Sequence, residues 1–148
     1  MDALDIIEIH QLLGLYGHIV DIAQWERFDE LFEADAELDY TAVRAPSVLV
    51  GRDAIRDYFA LANHPSAHHV VNIVVEEIAG EVQVHSKFFA PYTRSTHDPA
   101  RWYGGDYHDV VVRTPAGWRF RRRTCTERWQ FTPAGHDPAG IPEHRRTW

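Results

Sequence analysis

Ile6, Ile9, Leu12, Leu13, Tyr16 and Ile19 recur at three- and four-residue steps, so the first twenty residues read as an amphipathic helix with Asp2 or Asp5 near its electropositive start. A second, shorter helical pattern, Trp25, Phe28, Leu31 and Phe32, follows at once. The chain must therefore turn between Asp21 and Gln24, which puts Asp21 at a joint between two helices. The period then falls to two: residues 36–41 alternate as a strand, residues 44–47 read as a loop, and 48–50 form a short strand. Gly51-Arg-Asp opens a third helix, with Asp53 as its expected cap and Ala54, Ile55, Tyr58, Phe59 and Leu61 as its expected buried side. Two hairpins complete the pattern, 69–78 with 82–92 around Ala79-Gly80-Glu81, and 107–112 with 118–126 around Thr114-Pro-Ala-Gly117.

Helices first and antiparallel strands last predict an α+β fold in which the helices pack against one face of a curved antiparallel sheet. Such a sheet closes toward a cone, and the inner end of the cone is the expected ligand pocket. At 148 residues the chain has the length of one domain, expected to span residues 1–131. Residues 132–148, with Pro and Gly and few apolar side chains, are expected to form a separate tail, a lid over the pocket mouth or an arm to a neighbouring subunit.

Composition narrows the function. A net charge of -7 is opposite in sign to the basic balance of a phosphate-backbone binder, so nucleic acid is not the expected partner. No apolar run is long enough to span a bilayer, and the acidic start lacks the basic region of a secretion signal. With a single cysteine, Cys125, there is no internal disulfide, which fits the cytoplasm. Ten histidines invite a metal, but no HExxH or Cys/His pair spacing occurs, and no metal is expected. Cys125 itself reads as a small packed hydrophobe, and no glycine-rich phosphate loop or nucleophile-elbow motif is present.

Tyr16-x4-Asp21, WERFDELFEADAELDY at 25–40, VGRDAI at 50–55, HHVVNIVV at 68–75 and GGDYHDVVVRTPAGWRFRRR at 104–123 form an ordered series. Over residues 4–128 this series resembles the SnoaL-like branch of the nuclear-transport-factor-2-like superfamily, the branch of scytalone dehydratase, bile acid 7α-dehydratase and hexachlorocyclohexane dehydrochlorinase. The resemblance implies a cone-shaped α+β barrel, a homodimer or homotrimer, that works on a small molecule without a metal or organic cofactor. It also implies that Asp21 holds His69, which removes a proton, and that Tyr16 hydrogen-bonds the substrate oxygen. An Asp bonded to one ring nitrogen fixes the tautomer and raises the basicity of the other, so such a pair suits general base chemistry near neutral pH. A one-residue slip in register would put His68 in that place.

The residues leave other readings open. Asp21 also fits as a helix cap, Tyr16 as a core tyrosine, and Tyr107 as the member of its strand best able to enter a mixed pocket. In the run 118–123, Trp118, Phe120 and Arg122 share one side of a strand, so Arg122 is the arginine that faces inward if the aromatic side does, whereas the triple arginine run 121–123 by itself reads first as an exposed basic strand pairing with carboxylates. Tyr107, Arg122, Tyr40 and Asn72 are the candidate substrate contacts. Two functions follow: a dehydratase-like lyase or isomerase acting on a polyketide, aromatic or steroid-like molecule, or a non-catalytic binding or accessory subunit whose cone is filled by aromatic side chains.

Overall fold

A computed structural model describes residues 1–43, 45–62, 65, 67–92 and 101–132. The first helix, α1, runs Ala3–Asp21 and is opened by a reciprocal cap, in which the Asp2 carboxylate accepts the Asp5 N–H and the Asp5 carboxylate accepts the Asp2 N–H, each at 2.9 Å. Ile9, Leu12, Leu13, Tyr16 and Ile19 are fully or nearly buried along it, while Ile6 is partly exposed. The second helical pattern becomes a 3-10 segment, Trp25–Glu30, shorter than expected. It stops because sheet pairing takes over: the Phe120 N–H donates to the Leu31 carbonyl at 2.8 Å, and Phe32 begins a strand, β1 (Phe32–Asp39). After β2 (Leu49–Val50), helix α2 (Arg52–Leu61) is capped by Gly51 rather than Asp53, at a φ of +93° that favours glycine. Asp53 lies in the first turn of α2; Ile55 and Phe59 are its buried residues, and Leu61, expected inside, is 90% exposed at the helix end.

Four long strands follow, β3 (His69–Ile78), β4 (Glu81–Tyr92), β5 (Arg101–Thr114) and β6 (Gly117–Phe131). The sheet order is β2-β1-β6-β5-β4-β3. The expected all-antiparallel sheet is mixed at one place, because β1 and β6 pair in parallel while every other neighbour is antiparallel. The chain leaves β1, crosses to the far edge of the sheet at β3 and works back inward through β4 and β5 to β6, so the last strand arrives beside the first in the same direction. The result is a curved, unclosed α+β sheet with the helices against its inner face, where Tyr16, Phe28, Phe32, Phe59, Tyr107 and Phe120 share one core. The tail reading falls on residues 133–148, outside the described residues.

Register shifts decide which side chains reach that core. In β3, Val71 pairs with Lys87 and Val74 with His85, so two residues oppose one and Asn72 bulges at a φ of +52°. In β6, Phe120 pairs with Val111 and Arg122 with Val110, which leaves Arg121 as an extra residue. Each bulge reverses the in/out alternation beyond it.

On the outer face of β5, Asp106 is fully buried, beneath Lys87 at 3.4 Å, His85 at 3.1 Å and Arg128. Burial alone would raise its pKa, but hydrogen bonds from Arg128, His85 and Lys87 outweigh burial and hold it at about 2. A depressed carboxyl contributes stability above its unfolded value of 3.8 and loses it as pH falls through about 2. Thermal melts of wild type and Asp106→Asn are therefore expected to differ at neutral pH and to converge between pH 4 and pH 2. Parallel melting curves across that range would show that Asp106 is not ionised within this cluster.

Candidate active site

α1 ends at Asp21, and the C-terminal end of a helix repels a carboxylate unless donors answer it. His68 supplies two. Its backbone N–H lies 2.8 and 3.1 Å from the carboxylate oxygens, and its ring Nδ1 lies 2.5 Å from Oδ1. A contact that short needs a proton between the atoms, so the neutral imidazole carries it on Nδ1 and keeps Nε2 as an acceptor. Among the described residues, Nε2 makes no hydrogen bond. Both side chains are largely shielded, His68 at 5% and Asp21 at 18% exposure.

The expected pairing of Asp21 with His69 is not what the fold contains. His69 begins β3 opposite Phe89, its ring stacked on that ring at 4.4 Å on the outer face, and its Nδ1 contacts the Ala67 carbonyl. Val70 points to the core, so alternation sends His69 out and His68 in. The approach of α1 to His68 depends on Gly17, where an added Cβ would lie 3.3 Å from the His68 carbonyl oxygen and 3.6 Å from its Cβ. At an unconstrained helix position, Gly→Ala stabilises by roughly 1 kcal/mol. In Gly17→Ala the melting temperature is expected to hold, while His68 is pushed off Asp21 and any turnover that depends on the pair falls about tenfold. The ring nitrogen NMR signals of His68 report the displacement; unchanged signals would mean that the loop yields freely.

Tyr16, Tyr40 and Tyr107 do come together. The Tyr16 and Tyr40 hydroxyls are 2.8 Å apart, the Tyr40 and Tyr107 rings stack at 6.5 Å, and the Tyr16 ring meets His68 edge-on at 5.8 Å. Burial pushes all three phenols above their ordinary range, Tyr40 and Tyr107 strongly, so they are neutral hydrogen-bonding groups.

Arg122, by contrast, is exposed, because the extra residue Arg121 turns it outward and carries Arg123 in. Arg123 is completely buried and grips Asp109 with two bonds of 2.8 Å. Its guanidinium carbon stands 4.1 Å from the Tyr16 ring centre, 4.2 Å from that of Tyr107 and 4.0 Å from that of Phe120. Burial works against the charge, but Asp109 outweighs it and holds Arg123 well above its ordinary pKa. Among the described residues the Arg123 Nη1 has no hydrogen-bond partner, which leaves a donor edge inside the fold. Sequence reasoning missed this pair; Arg123 was in view as part of a triple arginine run, but the bulge that selects it was not.

Asn72 sits on its bulge with an exposed side chain and does not join the group, since the extra residue turns it off the inner face. Cys125 is buried, and burial pushes its thiol up to about 12, which leaves it protonated and inert. Among the described residues, no group of three or more His, Cys, Asp or Glu is placed to hold a metal ion, and no helix is long and apolar enough to cross a membrane.

Helices held in a curved, unclosed sheet, with polar groups gathered on its inner face, define an α+β fold of the nuclear-transport-factor-2-like superfamily. Within it the chain belongs to the SnoaL-like domain family, whose pattern matches residues 1–124. A scytalone dehydratase-like protein from Novosphingobium aromaticivorans superposes with a TM-score of 0.72 at 25% identity, over 95% of this chain and 96% of that one. A type 2 hexachlorocyclohexane dehydrochlorinase gives 0.77 at 17% identity over 95% and 100%, a likeness of fold alone. In sequence, the small subunit of anthranilate 1,2-dioxygenase from Burkholderia cepacia is 28% identical over 78% of this chain and 82% of its own length.

Proposed function

We propose that the protein is a cofactor-independent lyase or isomerase acting on a small, largely apolar oxygenated molecule. The observation that carries this reading is the Asp21–His68 pair, with Nδ1 tied to the carboxylate and Nε2 left as an acceptor. His68 removes a proton beside a carbonyl or a leaving group, and Asp21 fixes the tautomer and stabilises the imidazolium that forms. The abstracted electron pair moves onto the substrate oxygen as an enolate or breaks the bond to a neighbouring hydroxyl, which takes the proton back from His68 Nε2 and leaves as water. The Tyr16–Tyr40 hydroxyl pair and the free edge of Arg123 are donors for that developing charge, and such positioned donors act most strongly where water is excluded. The likeness to a scytalone dehydratase-like protein supports the same class of reaction.

A second reading, an accessory or binding subunit, is favoured by the dense packing of Tyr16, Tyr107 and Phe120 about Arg123 and by the relation to a dioxygenase small subunit. A panel of aromatic and polyketide-like β-hydroxy ketones, incubated in deuterated water, separates the two. Water loss or deuterium uptake next to the carbonyl supports the lyase or isomerase. Binding without either change, across the panel, favours the subunit.

A further inference from the structure

We propose, on the reading of the inner face as a reaction site, that Ser86 is a substrate-binding residue that selects an uncharged molecule carrying a second oxygen. The inner row of β4 reads Val84, Ser86, Phe88 and Ala90, all buried, and Ser86 alone among them is polar. Ser86 is completely buried, and among the described residues its Oγ has no hydrogen-bond partner. Alanine would fill the same place without leaving a hydroxyl unanswered, so packing alone does not call for serine. In the β4–β5 ladder Ser86 lies opposite Tyr107, whose ring stacks on Phe88 at 4.5 Å. On the β6 side of Tyr107 stands Arg123, its guanidinium carbon 4.2 Å from the same ring centre. Two buried polar atoms without a partner, Ser86 Oγ and Arg123 Nη1, therefore belong to the strands on either side of Tyr107.

The Arg123 edge serves the oxygen on which charge develops, and the Ser86 hydroxyl takes a second oxygen of the same molecule. A serine hydroxyl donates one hydrogen bond and accepts others, so a carbonyl, an alcohol or a phenol each answers it. Charge decides between a neutral ligand and an acid. Arg123 and Asp109 are joined by two bonds of 2.8 Å and cancel, while Asp21, beside a neutral His68, leaves the inner face with one negative charge. A carboxylate on the ligand would bring a second negative charge into a place shielded from water. Among the described residues, no buried cation on that face is left to meet it. A hydroxyl or carbonyl adds no charge, so the substrate class is a neutral ketone with a further oxygen rather than an aromatic acid.

Binding of acetophenone, the hydroxyacetophenones and the acetylbenzoates to the full 148-residue chain, followed by tryptophan fluorescence and NMR, tests this without requiring turnover. At least one hydroxyacetophenone is expected to bind wild type about tenfold more tightly than acetophenone, and each acetylbenzoate about tenfold more weakly than its hydroxy counterpart. Ser86→Ala is expected to erase the hydroxyl preference while acetophenone affinity stays within about twofold and the melting temperature holds or rises. A serine with a purely structural role would move stability and not selectivity. Ser86→Cys, with a small side chain and only a weak donor, serves if the alanine variant does not fold. The proposal is overturned by a hydroxyl preference that is absent in wild type or survives in Ser86→Ala, by an acetylbenzoate that binds as tightly as its hydroxy counterpart, or by a panel of which no member binds. The same proteins, run in the water-loss and deuterium-uptake assay, separate this subsite from the lyase or isomerase reading. A preference lost with Ser86, without turnover of any ketone, sinks the reaction and spares the subsite; turnover with a preference indifferent to Ser86 sinks the subsite and spares the reaction.

Discussion

Asp21→Asn is expected to lower turnover about a thousandfold, the range of a lost general base, while leaving the fold intact. The carboxylate meets His68 at two places, Oδ2 on the backbone N–H at 2.8 Å and Oδ1 on the ring Nδ1 at 2.5 Å. An asparagine keeps the first contact with its carbonyl oxygen and turns its amide nitrogen toward the ring. The imidazole then accepts at Nδ1 and carries its proton on Nε2, the wrong tautomer for a base. His68→Ala should lose as much, and the double variant little more, because the two act as a unit. His69→Ala should stay within about twofold of wild type, since no step of the chemistry is assigned to it. The check is the water-loss or deuterium-uptake assay, read beside the ring nitrogen NMR signals of His68. A switched tautomer with undiminished turnover would remove His68 from the reaction. A switched tautomer without any measurable wild-type activity would leave the pair as a structural device.

The second large effect is on stability. Asp109→Ala strands a guanidinium that is completely buried, and breaking a buried pair from one side destabilises by about 3–5 kcal/mol. For a chain of this size that corresponds to a fall of roughly 10 °C in Tm. Arg123→Met leaves the Asp109 carboxylate behind, and because that group can take up a proton, its loss should be smaller. Asp109→Leu/Arg123→Met should recover most of the stability, because apolar side chains of similar volume replace a buried pair at little net change. If the pair serves the reaction, that double variant folds without activity. Denaturant titration of the four proteins closes the cycle, and an additive result would show that the two side chains do not depend on each other.

The candidate site was legible in part. The spacing of the first helix put Tyr16 on its apolar stripe and Asp21 at the joint after it, the resemblance implied that both belong to the site, and the structure keeps both on the inner side. Tyr40 and Tyr107 also joined them. The histidine was missed by one residue, because both faces of His69–Ile78 carry Val and Ile and no alternation marks which face is the core. The arginine was missed by one residue for a different reason. Phe120 and Arg123 point the same way only because Arg121 is inserted between paired positions, and no residue type in the run announces that bulge. Asn72 failed in the same manner, as the extra residue of a bulge rather than a member of the ladder.

The sequence by itself determined the order of elements, the amphipathic first helix with its acidic cap, the two hairpins and the carboxylate at the end of α1. These rest on interactions between residues a few positions apart, which local periodicity and turn chemistry encode. Tertiary structure alone decided that β6 returns parallel to β1, that His68 rather than His69 meets Asp21, and that Arg123 is drawn inside with Asp109. The first depends on the path of the whole chain across the sheet, and the other two on strand register, which is fixed by the packing of distant residues against one another, where a shift of one position exchanges the inside of a strand for its outside.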